Sequence, residues 1–349
     1  MCNRLRRFHK SHNYIFYLKC MESRSLDLTT IYDVAKHAKV SVATVSRVLN
    51  NQGYVGVNSR AKVEQAIEAL NYSPNAVARS LYKKQSKSIG FIIPDITNPF
   101  FPQLFRAVEK TLISQGYSAL LFNSDDQLDR VSTFIETMKT GYAAGLIIVS
   151  DKIKEEHLAK LSMPIVAIDR IISDNIPSIT VNNYKNAREA VRYLVQQGCS
   201  KIAHVKGPNG VYTSEERLRG YCDEISSQGL TQIIGSGNYE LMTSYQTITD
   251  LLTEYPDIDG IFAGNDIMAV GIIKALAKLE IKIPEQIKVI GFDGIEWGTT
   301  ITPELTTMEQ PIEQIGVKSG ELLLNIIEGN IQGSQHFSFD AKLVVRDST

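Results

Sequence analysis

Polar and aromatic side chains follow the apolar runs in the larger, C-terminal part of this chain. Ligands of open parallel sheets bind at the carboxyl ends of the strands, so these positions are the first places to look for chemistry. Carboxylates, amides and guanidinium groups bind adjacent hydroxyls, and aromatic rings cover the C–H surface of a sugar. The sequence therefore predicts a sugar-binding site made of Asn98, Phe100, Phe101, Asp169, Arg170, Arg217, Asn265, Asp293 and Gln310.

Each candidate also has an ordinary structural explanation, as an ion pair, a turn, a helix cap or a core residue. Six separate strand ends offer groups of the same kind, which favours binding over coincidence. The alternatives are a surface ion pair of Asp169 with Arg170, a turn at Asn98, core packing of Phe100 and Phe101, a helix cap at Asn265 and a turn at Asp293-Gly294.

The elements that must position these residues alternate between strands and helices from residue 88 onward. Continuous apolar runs at 89–93, 145–149, 165–168 and 289–292 are separated by helical stretches such as 312–327. Such runs are typical of parallel strands covered by helices on both faces. The strands are too many for one ordinary sheet, so we expect two doubly wound lobes with a cleft between them.

The segment before this body has a different character and predicts three short helices. Thr30 is a plausible N-cap for a first helix, and Ser41 for a second helix over 42–49, after a tight break at 40–41. A third helix is expected over 59–70. Two short helices with so small a turn are typical of a helix-turn-helix, whose second helix enters the major groove of DNA.

The second helix offers outward side chains suited to DNA. Short residues allow close approach of the backbone, hydroxyls donate to phosphates, and Arg47 can reach guanine. A generic small helical bundle is the structural alternative. The predicted DNA-contacting residues of this module are Thr30, Tyr32, Ser41, Val42, Ala43, Thr44, Ser46, Arg47, Asn50, Tyr54 and Ser59.

Charge is distributed unevenly along the chain. Residues 29–88 hold nine Lys/Arg and three acids, a net +6; residues 1–28 carry +4, and the remainder carries −11 to reach the formal total of −1. A basic front on an acidic body fits a nucleic-acid module attached to a larger domain that does not touch phosphate.

Other function classes find no support in the sequence. The four cysteines have no metal-ligand spacing, which predicts reduced thiols in the cytoplasm and no metal. No apolar run approaches the roughly 20 residues of a membrane span. No P-loop, dinucleotide fingerprint or nucleophile elbow is present, so we expect neither a cofactor nor an enzyme.

Two stretches, DVAKHAKVSVATVSRVLN (33–50) and NYSPNAVARSL (71–81), closely resemble the LacI/GalR family of bacterial repressors. The resemblance covers essentially residues 29–349. It implies a hinge helix that folds on operator DNA, with Ala78 facing the minor groove and Leu81 wedged between base pairs. The body resembles type I periplasmic sugar-binding proteins, and ribose binders most of all. The aromatic residue of their second lobe has no fixed match, with Tyr212 the nearest candidate.

The resemblance implies a homodimeric repressor of a sugar operon, controlled by D-ribose or a close relative bound between the lobes, with no membrane partner. A purine effector or a phosphocarrier corepressor is the alternative within the family. The predicted architecture is a small all-α helix-turn-helix headpiece with a hinge helix, followed by a type I periplasmic-binding-protein-like α/β core of two doubly wound lobes. The predicted segments are an extension (1–28), the headpiece (29–74), the hinge and linker (75–87), the first lobe (88–182 and 304–330) and the second lobe (183–303 and 331–349).

Overall fold

The computed structural model describes residues 29–73, 86–159, 161–331 and 333–349. The chain divides into two compact units, Met1–Tyr82 and Lys83–Thr349. We call the described part of the first unit the headpiece and that of the second unit the core. The predicted extension (1–28) and the predicted hinge residues Ala78 and Leu81 lie outside the described residues.

The headpiece contains three helices, α1 (Ile31–Ala38), α2 (Val42–Asn50) and α3 (Val57–Ala69). Thr30 caps α1 in a reciprocal capping box with Asp33. Lys39 ends α1 in the left-handed conformation, which turns the chain sharply into α2. The predicted helices are therefore confirmed, and α3 begins two residues earlier than predicted. The helices bury one small apolar cluster of Val34, Ala35, Ala38, Val45, Val48, Val63 and Ala66.

The core alternates strands and helices as predicted. Its strands are β1 (Ser88–Ile93), β2 (Ser118–Asn123), β3 (Gly145–Ile148), β4 (Ile165–Ile168), β5 (Ser178–Val181), β6 (Ile202–Lys206), β7 (Ile233–Ser236), β8 (Gly260–Ala263), β9 (Lys288–Asp293), β10 (Thr306–Glu309), β11 (His336–Phe339) and β12 (Lys342–Val344). Its helices are α4 (Phe100–Ser114), α5 (Leu128–Thr140), α6 (Glu155–Leu158), α7 (Asn183–Gln196), α8 (Tyr212–Ser227), α9 (Leu241–Glu254), α10 (Asp266–Lys278), α11 (Trp297–Thr300) and α12 (Ile312–Ile327).

The strands form two six-stranded sheets, one for each lobe. The first sheet has the order β11-β5-β4-β3-β1-β2 and the second β12-β10-β9-β8-β6-β7. All neighbouring pairs are parallel except β10 with β12. The central strands β3 and β8 are buried along their whole length, because helices cover both faces of a parallel sheet. The predicted pair of doubly wound lobes is confirmed.

Sheet membership corrects the predicted lobe boundaries. The sequence predicts residues 304–330 in the first lobe, but β10 lies in the second sheet. It predicts residues 331–349 in the second lobe, but β11 lies in the first sheet. α12 packs on α4 in the first lobe, and α7 packs on α8 in the second. The chain therefore crosses between the lobes three times, at residue 182, at 310–311 and at 340–341. Local patterns could not show this because strand pairing is non-local.

Candidate functional site

All nine predicted effector-site residues line one cleft of about 360 Å³ between the two lobes. Five of them follow β1 and β4 in the first lobe, and three lie on α8, after β8 and at the end of β9 in the second. Gln310 lies on a crossover segment. The volume falls near the lower end of the range of roughly 300–1,000 Å³ that small-molecule sites occupy. The carboxyl ends of the strands of both sheets thus face one cleft, the position at which open parallel sheets bind their ligands.

The aromatic wall of the first lobe is made by the start of α4. The Asn98 side-chain oxygen accepts a hydrogen bond from the Phe100 N–H at 3.0 Å, so Asn98 is a turn residue and a cleft residue at once. Phe100 is buried, and Phe101 is half-buried against it with the ring centroids 5.3 Å apart and an interplanar angle of 85°. Phe100 therefore combines the predicted core role with a place in the cleft wall.

Arg170 is bound to Asp151, which replaces the predicted alternative of an Asp169–Arg170 ion pair. Arg170 Nη1 donates to the Asp151 carbonyl at 2.5 Å and lies 3.5 Å from Asp151 Oδ1. Asp151 Oδ1 also accepts the backbone N–H of Tyr212 at 3.2 Å. Because Asp151 belongs to the first lobe and Tyr212 begins α8 in the second, this bond joins the lobes. Among the described residues, it is the one hydrogen bond between the lobes away from the crossovers.

Arg217 is the centre of the second lobe's polar network. It is 4% exposed. Its Nε donates to Asn183 Oδ1 at 2.8 Å and its Nη1 to the Gly264 carbonyl at 2.6 Å. Its Nη2 lies 3.4 Å from Asp293 Oδ1, and the guanidinium stacks 3.7 Å from the centre of the Phe292 ring. The packing of α8 on α7 brings Arg217 to the ends of β8 and β9.

Asp293, at the end of β9, is bound by Arg217 through its side chain and by Gln310 through both its side chain and its backbone. Gln310 Nε2 donates to Asp293 Oδ1 at 2.7 Å, and the Gln310 N–H donates to the Asp293 carbonyl at 3.0 Å. Asp293 has a φ of 120° and the following Gly294 a φ of 78°, so the predicted turn is present. Neighbouring Asp266 fixes that turn by accepting the N–H groups of Gly294 and Ile295 at 2.8 and 2.9 Å.

Asn265 has both roles considered for it. Its side-chain oxygen accepts the Met268 N–H at 2.9 Å and so caps α10, while the residue also lines the cleft. Capping by Asn265 therefore does not compete with its place in the site, because the cap bond occupies only part of the hydrogen-bonding capacity of the amide.

Burial changes the protonation of the carboxylates in the cleft. Burial raises the pKa of Asp169 to about 7, while Arg217 opposes the shift. Burial also raises the pKa of Asp293, against the opposing charge of Arg217. The charge of one guanidinium therefore opposes the shift at both carboxyl groups, and the pKa of each still lies above its ordinary value near 4.

Sequence reasoning missed several residues of the cleft. Tyr239 follows β7 and lines the cleft, its hydroxyl 3.0 Å from Thr213 Oγ1. The aromatic side chain that the second lobe contributes to the lining is therefore Tyr239 and not the predicted Tyr212, which is 40% exposed and absent from the lining. β7 is short and half polar, so the sequence contains no apolar run that would have predicted this strand or the site residue that follows it. Missed acidic lining residues are Asp125, Asp126, Asp151 and Glu240.

Two polar atoms of the cleft residues are buried without a hydrogen-bond partner among the described residues. They are the Nε of Arg170, a donor, and the Oε1 of Gln310, an acceptor. Buried polar groups normally have partners, so such pairs call for an explanation. A hydroxyl, which both donates and accepts, complements each of them.

The headpiece presents its second helix with the predicted polarity. Ala43 and Arg47 are exposed, and Thr44 and Ser46 are half-exposed, while Val45 and Val48 are buried. Val42, predicted both as an inward residue and as a DNA contact, is half-buried against the apolar cluster. Ser41 caps α2 by accepting the Thr44 N–H at 3.2 Å. Asn50 Nδ2 donates to the Ser46 carbonyl at 2.9 Å.

The remaining predicted headpiece contacts are accessible at the surface. Tyr32 and Tyr54 are 70% and 92% exposed. Exposed aromatic rings with a hydroxyl tip suit phosphate and sugar contacts. Thr30 is exposed although its hydroxyl is bonded to Asp33, and Ser59 is half-buried on α3. Tyr32 and Tyr54 are therefore the most accessible of these side chains at the headpiece surface.

Other kinds of site find no support in the described part of the chain. No group of three or more His, Cys, Asp or Glu side chains there is arranged to hold a metal ion. No helix among the described residues has the length and apolar character needed to cross a membrane.

The fold and the cleft together define a class of protein, a two-lobed binding core joined to a helix-turn-helix module. The model for periplasmic binding proteins and the sugar binding domain of the LacI family matches residues 86–344, and the model for bacterial regulatory proteins of the lacI family matches residues 30–75. The chain belongs to the LacI family. It is a DNA-binding transcription repressor with an effector-binding core, and not an enzyme.

Individual relatives match three quarters or more of the chain. The ribose operon repressor of Halalkalibacterium halodurans is 42% identical, covering 92% of this chain and 97% of that protein. The lac repressor dimer bound to operator and an anti-inducer has a TM-score of 0.81 and 28% identity, covering 92% of this chain and 98% of that one. A LacI family regulator from Enterococcus faecium with bound ribose has a TM-score of 0.69 and 27% identity, covering 75% of this chain and 98% of that one.

Proposed function

We propose that this repressor binds operator DNA as a homodimer and that D-ribose, or a close relative, controls it from the cleft. The observation that carries the proposal is the cleft itself. Nine residues suited to hydroxyl and C–H recognition line one cavity, and two of them, Arg170 and Gln310, each have a buried polar atom without a partner among the described residues. The repressor of 42% identity named for the ribose operon and the ribose-bound regulator support the choice of sugar.

The polar groups of the cleft suit a small polyol. The carboxyl groups of Asp293 and Asp169 can accept hydrogen bonds from the hydroxyls of a polyol. Arg217 and the Nε of Arg170 can donate hydrogen bonds to the same kind of hydroxyl. Phe100, Phe101 and Tyr239 supply apolar faces from both lobes. A site for a nucleobase would have more aromatic rings for stacking and fewer carboxylates. The geometry of the cleft therefore does not favour the alternative of a purine effector.

Binding in the cleft reaches the crossover segments through Gln310. Gln310 bonds Asp293 in the second lobe and immediately precedes α12 in the first. A ligand on Asp293 therefore contacts the segment about which the lobes would rotate. An effector shifts an equilibrium only by binding the two states unequally. The predicted hinge (75–87) is the element whose folding we expect that rotation to control.

Calorimetric titration of the full-length protein with D-ribose tests the effector assignment. We expect saturable heat, and we expect Asp169→Ala to abolish it while Asp174→Ala, an exposed acid of the same lobe outside the cleft, binds like wild type. Saturable heat with a purine and none with any pentose would overturn the sugar assignment.

Operator binding tests the other half of the proposal. Sedimentation of the protein with a pseudo-palindromic operator should give two chains per site. We expect saturating D-ribose to weaken that complex. A complex with one chain per operator would contradict the dimer.

A further inference from the structure

Asp266 is a fully buried carboxylate that lies beside the cleft but outside its lining. Burying a carboxylate costs free energy, so its place in the fold calls for an explanation. The neighbouring Asn265 already caps α10, so Asp266 is not needed as the cap. All three hydrogen bonds that Asp266 accepts come from other elements of the second lobe.

These three hydrogen bonds fix the turn after β9 against the neighbouring strand β10. Asp266 Oδ2 accepts the backbone N–H groups of Gly294 and Ile295 at 2.8 and 2.9 Å. Asp266 Oδ1 accepts the hydroxyl of Thr307, on β10, at 2.6 Å. The carboxylate therefore joins the start of α10, the turn after β9 and strand β10 at one point.

A glycine in β9 leaves the room that this carboxylate occupies. A Cβ atom on Gly291 would lie 2.2 Å from Asp266 Oδ1, which is far closer than two non-bonded atoms can approach. Gly291 is the residue that pairs with Thr307 between β9 and β10. Asp266 could move away from an added Cβ only by giving up its hydrogen bonds, so the missing side chain at 291 is what allows Asp266 to reach the turn.

The turn determines where the carboxylate of Asp293 lies. Asp293 has a φ of 120°, a conformation that a residue with a Cβ keeps only when its surroundings enforce it. The two N–H groups that Asp266 binds belong to the two residues directly after Asp293. Gln310 and Arg217 both contact Asp293 Oδ1, so Oδ2 is the oxygen left for a ligand.

We propose that Asp266 is a positioning residue of the effector site, which sets the affinity for the effector by holding Asp293 in place without touching the ligand. The inference rests on the proposed function, since the ligand is the effector of that cleft. The start of α10 is a rigid support for this role, because nine of the 13 residues of the helix are buried. The helix dipole also favours an acid in the first turn.

Asparagine is the replacement at position 266 that preserves the turn. Its side-chain oxygen can accept the two backbone N–H groups, and its amide can donate to the Thr307 hydroxyl, which accepts as well as donates. Burial and the charge of Asp293 raise the pKa of Asp266 against its three hydrogen bonds, so a neutral side chain is tolerated there. Alanine offers none of these acceptors.

Calorimetric titration of the full-length protein with D-ribose tests the role of Asp266. We expect Asp266→Ala to weaken ribose binding about tenfold to a hundredfold, because the turn loses its hydrogen bonds to a charged group. Asp266→Asn should bind ribose within about threefold of wild type, because it keeps the acceptor. Ile272→Ala, a core change in the same helix outside the cleft, is the control for lost stability and should leave ribose affinity unchanged.

Gly291→Ala keeps the carboxylate but displaces it, and so provides a second variant. We expect it to weaken ribose binding about as much as Asp266→Ala does, because the added Cβ meets Asp266 Oδ1. The double variant Gly291→Ala/Asp266→Ala should bind ribose no more weakly than Asp266→Ala alone, because the nearest atom that the Cβ would meet is then absent.

Hydrogen exchange of the peptide that contains Gly294 and Ile295, followed by mass spectrometry, reports on the turn without any ligand. We expect faster exchange of this peptide in Asp266→Ala and the wild-type rate in Asp266→Asn, because only the alanine variant lacks an acceptor for the two N–H groups.

The outcomes separate this role from the proposed function. Ribose affinity that is unchanged in Asp266→Ala, or equally weakened in Asp266→Asn, would overturn the positioning role. Losses that add in the double variant with Gly291→Ala would also overturn it, since the two changes would then act by different routes. No heat with ribose in wild type would refute the proposed function instead, and unchanged exchange in Asp266→Ala would show that Asp266 does not fix the turn.

Discussion

Replacing Arg217 by methionine should destabilise the core severely, because the guanidinium holds three groups together. Methionine keeps most of the apolar stem over Phe292 but removes the hydrogen bonds at 2.8 and 2.6 Å and the ion pair at 3.4 Å. Hydrogen bonds to a charged group contribute about 1.5–3 kcal/mol each. Breaking a buried pair leaves an uncompensated charge, and the expected net loss is about 3–5 kcal/mol.

The double variant Arg217→Met/Asp293→Asn measures the interaction between the Arg217 guanidinium and the Asp293 carboxylate separately from their other contacts. Removing the carboxylate charge together with its partner leaves no unpaired ion, so we expect the double variant to lose about 2 kcal/mol less than the sum of the two single variants. Asparagine keeps an acceptor for the Gln310 amide. Urea unfolding followed by the fluorescence of Trp297, the single tryptophan, reports on the second lobe, where that residue begins α11.

Two results would refute this reasoning. A loss below about 1 kcal/mol in Arg217→Met would mean that the guanidinium does not hold the network together. Additivity within about 0.5 kcal/mol would mean that Arg217 and Asp293 do not interact.

Three further predictions concern the cleft and the headpiece. The pKa of Asp169 is about 7 in the fold against roughly 3.9 in the unfolded chain, so the contribution of Asp169 to stability falls as pH rises from about 4 to 7. Asp169→Asn should therefore raise the free energy of urea unfolding at pH 8 by about 1–2 kcal/mol, and this gain should disappear at pH 4. The same variant should abolish ribose binding. Asp151→Ala removes the hydrogen bond between the lobes and should weaken ribose binding about tenfold in calorimetry; unchanged affinity would contradict its role in holding the lobes. Arg47→Ala should weaken specific operator binding by about 1–3 kcal/mol in fluorescence anisotropy, with exposed Lys62→Ala as the control; equal losses on specific and random DNA would argue against base contact.

The cleft was predictable because it depends on a general property of parallel sheets. Apolar runs located the strands, and the residues that follow parallel strands had to gather at the carboxyl edge of each of the two sheets. The α2 helix was predictable for a similar reason, since capping by Ser41 and the spacing of its valines are local signals.

What could not be predicted depends on pairing between distant segments. β10 and β11 are four residues long, and which sheet each joins depends on partners far along the chain. Tyr239 follows a short edge strand with little apolar pattern, and the contact of Asp151 with Tyr212 exists only once two lobes face each other. Such features are absent from any local window of sequence.

Operator affinity measured as D-ribose is titrated into the full-length protein tests the central claim most directly. Fluorescence anisotropy of a labelled operator should show the affinity falling with ribose in wild type and staying constant in Asp169→Ala, whose cleft no longer binds the sugar. An operator affinity that does not change with ribose in wild type, while calorimetry shows the cleft occupied, would contradict control of this repressor by the sugar.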